Sequence, residues 1–133
     1  MENYAKKSIE DIQEEDDYMQ TIVILLDPHK LTNADLDLRY LVPDRIEEWS
    51  HGAIQDNGYD YVETVEGRPV GSSFMGIWLK TQSADESWPQ VLKLLQEETF
   101  LENDLSRSAE IYISEEDAAD LEHCTRVFPD IFS

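Results

Sequence analysis

The chain has 133 residues, with thirty acids against ten lysines and arginines and a formal charge of −20. A surface of that sign repels nucleic acid and anionic lipid, whose phosphates carry the same charge, and favours basic proteins. The length suits one domain whose core needs no covalent staple, and a single cysteine, Cys124, excludes an internal disulfide.

Residues 1–20 read as an acidic lead-in, loosely docked or flexible, with Glu14, Glu15, Asp16 and Asp17 in a row. Residues 21–133 read as a single α+β domain. No apolar h-region marks a secretory signal. The longest apolar run, Ile22 to Leu26, is far short of the ~20 residues a membrane span needs. A cytoplasmic location is the expectation.

Thr21 to Leu26 is apolar, β-branched and closed by Asp27-Pro28. Such a run predicts a strand buried on both faces, hence central in its sheet. A helix is expected next, capped at Thr32 or Asn33 and carrying Ala34, Leu38, Leu41, Val42 and Trp49 on or near one face. Pro43 interrupts it, so a kink or two short helices follow from the missing N–H.

Ala53 to Val65 reads as extended, and Asp56-Asn57-Gly58 inside it is a hairpin turn or a bulge. Glu66 to Ser72 is the clearest loop. Phe74 to Thr81 is a strand, with Phe74, Gly76 and Trp78 on one side and Met75, Ile77 and Leu79 on the other. Ser83 and Glu86 make a capping box for a helix that carries Trp88, Val91, Leu92, Leu95 and Thr99 on one face, has Pro89 in its first turn and ends at Asn103-Asp104. Ala109 to Ser114 is a strand, Glu115 to Asp120 an acidic turn, and Leu121 to Phe128 a last strand at an edge. The order β-α-β-β-α-β plus one strand fits a ferredoxin-like antiparallel sheet with two helices on one face.

Chemistry-bearing residues are sparse. Asp27 and His29, at the end of the first strand, could aim a carboxylate and an imidazole into one ligand pocket, although two residues do not make a site. His123 and Cys124, adjacent in a predicted strand, would point to opposite faces, which argues against a nucleophilic couple. The glycines lack the lysine and helix of a phosphate loop, and no pair of histidines has metal spacing. No catalytic residue, cofactor or metal is assigned.

The segment Asp56 to Glu63 is the most informative. In an extended chain Tyr59, Tyr61 and Glu63 share one face, and Asp60 and Val62 the other. Tyrosine gives rigid contact area with a polar tip, and carboxylates beside it pair with a partner's cations. Asp56, Tyr59, Asp60, Tyr61 and Glu63 are therefore candidate partner-binding residues. The chain reads as an acidic protein-binding module, of the kind an immunity-type inhibitor of a basic toxin or nuclease would be. Two alternatives stay open. One is a small-molecule-binding regulatory domain, homodimeric through an edge strand. The other is a small enzyme using Asp27 and His29.

Overall fold

The computed structural model of the chain describes residues 19–65 and 68–129. Most of the acidic lead-in, 1–18, lies outside them. The first strand, β1 (Gln20–Leu26), is the middle of a five-stranded antiparallel sheet. The others are β2 (Ile54–Val65), β3 (Arg68–Thr81), β4 (Ala109–Ser114) and β5 (Thr125–Phe128), in the order β2-β3-β1-β4-β5. With the helices α1 (Leu38–Trp49) and α2 (Ala84–Glu97), this is an α+β architecture.

Ile22 to Leu26 are each 0% exposed. Alternation sends Ile22, Ile24 and Leu26 to the face covered by both helices. There they meet Leu38, Val42 and Ile46 of α1, and Val91, Leu94 and Leu95 of α2. Val23 and Leu25 point to the opposite face, against Tyr112, Val62, Phe74, Trp78, Leu121 and Cys124. Gly76 makes this second layer possible. A Cβ there would stand 2.6 Å from the Trp78 ring, so only glycine lets the indole lie across the strand.

No helix covers that second face among the described residues. The acidic segment 115–120 does, and one hydroxyl fastens it. Thr21 is fully buried; its Oγ1 donates to the Glu116 carbonyl at 2.7 Å and accepts from the Ala119 amide at 3.1 Å. Trp78 Nε1 adds a bond to the Ala119 carbonyl at 2.8 Å. A segment of like charges thus becomes ordered cover because its peptide groups and the buried Ala119 meet the sheet, while its acidic residues stay exposed.

Several expectations are corrected. The helix α1 begins after Asp37, not at Thr32 or Asn33. The backbone of Asn33 is already used, since its N–H donates to Asn103 Oδ1 and its carbonyl accepts from Asn103 Nδ2. Of the two outcomes expected at Pro43, two short helices do not form: Pro43 is buried inside α1, which runs as one element. The capping bond from Glu86 N–H to Ser83 Oγ forms as expected. However, α2 stops at Glu97 and Pro89 lies in its second turn. Strand β3 starts at Arg68, inside the expected loop. Leu121–His123 is a 3-10 turn, so the edge strand is only Thr125–Phe128.

Asn103 does not end a helix. It is 1% exposed, and its amide also donates to the carbonyls of Phe100 and Leu101. It closes a tight turn whose central residues, Leu101 and Glu102, have φ of 52° and 72°. Neither type favours that region, so the turn is held by Asn103 and by Leu101 packing on the core.

Arg45 of α1 ties the helices together. It donates Nε and Nη2 to the two Glu98 oxygens at 2.9 and 2.8 Å, and Nη1 to Glu48 at 3.1 Å. The hydrogen bond from Arg45 holds the Glu98 carboxyl below its ordinary value. A depressed carboxyl stabilises the fold above its unfolded pKa, and that contribution is lost as pH falls through the folded one. The difference in melting temperature between the wild type and Glu98→Gln is therefore expected at pH 7 and should shrink below about pH 4. A difference independent of pH down to 3 would refute the charge-assisted pair.

Replacing Thr21 with Val should lower stability by about 2 kcal/mol, because a buried donor and acceptor lose their shared partner. A thermal melt followed by circular dichroism should fall by roughly 5 °C. Amide exchange at Ala119 should quicken more than at Ile24. An unchanged melt would show that the hydroxyl clasp is dispensable.

Candidate functional site

The described residues bring four side chains together where α1 crosses edge strand β2. Tyr59 and Tyr61 sit opposite Ile77 and Met75 of β3 and so face the helix layer. A bulge decides this. Register shifts between Asp56 and Tyr59, where Gly58 takes φ of 102° and donates its N–H to Asp56 Oδ1 at 2.9 Å. Ile54 and Asp56 lie opposite Thr81 and Leu79, on the helix side. Strict alternation from there would turn Tyr59 away; the extra residue turns it back. Asp56-Asn57-Gly58 is thus a bulge in one long strand and not a hairpin turn.

Above the strand, Arg39 and Tyr40 project from the first turn of α1. Tyr40 and Tyr59 stand edge to face with centroids 6.0 Å apart, and Tyr59 and Tyr61 likewise at 6.1 Å. The Arg39 guanidinium carbon lies 4.7 Å from the Tyr40 centroid and 4.9 Å from that of Tyr59. Its Nη1 donates to the Tyr61 hydroxyl at 3.1 Å. That bond holds the guanidinium above its ordinary value. Hydrogen bonding with Tyr40 raises the Tyr59 hydroxyl, against the opposing pull of Arg39. The three rings remain 41–47% exposed, and Leu36 and Leu41 beside them are 52% and 41% exposed.

Exposed carboxylates are carried by the same two elements or the residue that precedes α1. Asp37 precedes α1, Asp44 follows Tyr40 by one helical turn, and Asp56, Asp60 and Glu63 lie on β2; all five are exposed. Asp60 points to the other face of the sheet, opposite Gly76, and accepts the Tyr61 N–H at 2.8 Å. The five residues singled out in the sequence therefore share a strand but not a face. Arg39 and Tyr40 were missed. Their signal was faint: an Arg-Tyr pair early in a helix, with an adjacent tyrosine strand, becomes a cluster only once α1 is known to cross β2.

Asp27 and His29 do meet, on the turn that follows β1. Asp27 caps the 3-10 turn Pro28–Lys30; its Oδ1 accepts from His29 N–H at 2.9 Å and lies 3.4 Å from His29 Nδ1. The His29 side chain is 74% exposed. Two open cavities, about 370 and 490 Å³, are lined by other residues: Asp44, Glu47, Glu48, His51 and Gly52, and the region of Ile113, Glu116, His123 and Val127. Among the described residues no group of three His, Cys, Asp or Glu side chains is placed to hold a metal ion. No described helix is long and apolar enough to cross a membrane.

Comparisons with protein-family models, with curated proteins and with solved structures find no match to this chain.

Cys124 closes the 3-10 turn after His123, and its thiol donates to the Asp120 carbonyl at 3.4 Å. Burial, with Asp120 and Glu116 nearby, pushes the thiol from 9.0 up to about 11. The thiolate is the reactive form, so iodoacetamide should modify native Cys124 far more slowly than the unfolded chain at pH 8, and the rate should climb until about pH 11. Equal rates for native and unfolded protein at pH 8 would contradict this environment.

Proposed function

We propose that the chain is a binding module for a basic protein, and that the tyrosine cluster on α1 and β2 is where the partner docks. The observation that carries this reading is the exposure of Tyr40, Tyr59 and Tyr61 side by side, 41–47% each, on a chain of charge −20. Clustered tyrosines give contact area at low entropic cost, and surrounding carboxylates steer a cationic surface into place. The finer reading is an immunity-type inhibitor of a basic toxin or nuclease. A phosphate-binding active site is positive, and an acidic, aromatic face can occlude it. We read the scaffold as ferredoxin-like: β3 lies between β1 and β2, β4 flanks β1 on its other side, and β5 is the added strand.

The test compares wild type with the triple variant Tyr40→Ser/Tyr59→Ser/Tyr61→Ser as immobilised baits at 150 and 500 mM salt. At least one basic protein should be held by the wild type and lost by the variant. Once purified, it should associate more slowly as salt rises. A captured nuclease should lose activity at one equivalent of the chain. Identical captures by both baits, or by an unrelated protein of equal charge, would overturn the reading.

A further inference from the structure

We propose that Tyr40, Tyr59 and Tyr61 form a receptor for an arginine side chain of the basic partner, with Arg39 as a resident stand-in that the incoming guanidinium displaces. The proposal rests on the docking reading above and adds the recognition chemistry.

The box already holds a guanidinium. Arg39 lies within 4.7 and 4.9 Å of two ring centroids, inside the ~6 Å range of cation–π attraction, and bonds the third hydroxyl at 3.1 Å. What it lacks is a carboxylate. In a chain with thirty acids, Arg39 makes no ion pair among the described residues, whereas Arg45 is bidentate to Glu98. Its Nε is buried with no hydrogen-bond partner among them. A buried donor without an acceptor is unfavourable, so Arg39 regains hydration there when it swings into solvent. It gives up one bond to a neutral hydroxyl and two ring contacts.

An arginine from outside would take over those ring contacts. The rings are reachable, and the field of the whole chain draws cations toward them. Once displaced, Arg39 is free to pair with one of the carboxylates near α1. Arginine suits the box better than lysine, because a planar guanidinium stacks on aromatic faces and can still direct an N–H at a hydroxyl.

The probes are capped Gly-Arg-Gly and Gly-Lys-Gly peptides, titrated into the full chain at low salt and followed by NMR. The arginine peptide should shift the tyrosine ring signals and the Arg39 Nε–H signal together. Arg39→Ala, with the box vacant, should bind that peptide about tenfold tighter than wild type and prefer it over the lysine peptide. Adding Tyr59→Ser should remove the gain. The proposal is overturned if Arg39→Ala strengthens both peptides equally, as one more net negative charge alone would do. It is also overturned if Tyr59→Ser changes nothing, or if a basic protein is captured through the tyrosines while the box ignores arginine. Arginine binding in the box with no protein captured supports the receptor and overturns only the docking reading.

Discussion

The structure depends on burying one strand from both sides. Ile22 to Leu26 have no exposed surface, and a strand so apolar cannot sit at an edge or face water. Burying its helix-facing side requires both helices to dock on one face. Burying its other side requires cover that the helices cannot give. The chain meets that second demand with backbone from an acidic turn, clasped by Thr21, and with Trp78 lying over Gly76. A protein of charge −20 can be ordered there because the carboxylates of 115–120 point to solvent while the peptide groups face in.

That constraint explains which parts were legible. β1 could be read from its own residues, since a continuous β-branched run has few other uses. The cap at Ser83 was local and held. The start of α1 was misplaced, because the backbone of Asn33 is held by Asn103, seventy positions away, and the helix begins only after Asp37. The turn at Leu101-Glu102 runs against the preferences of both residues and is imposed by tertiary packing. In the candidate site, alternation put Tyr59 and Tyr61 together, but their direction depended on the bulge at Gly58. Arg39 and Tyr40 needed the crossing of α1 over β2, which no local pattern encodes.

The bulge also bears on how β2 can meet another molecule. An edge strand offers its free N–H and C=O groups to any strand that approaches. Here the Gly58 N–H is held by Asp56 Oδ1 and the Tyr61 N–H by Asp60 Oδ1. Two donors are therefore occupied by carboxylates of their own strand, and the register breaks between them and again after Val62. A second copy adding itself along β2 would meet a kinked ladder and a chain of the same large charge.

What β2 leaves available is its side chains. Tyr59 and Tyr61 project toward α1, where Arg39 and Tyr40 complete the cluster, so recognition at this end of the sheet runs through rings and charge and not through backbone pairing. The same carboxylates then serve two ends. Asp56 and Asp60 tie up the edge amides, and their negative charge repels another acidic copy while attracting a basic surface. A mutation that removes Asp60 would thus weaken both effects together: it would free the Tyr61 amide for strand addition and thin the field that draws a cationic partner to the tyrosines beside it.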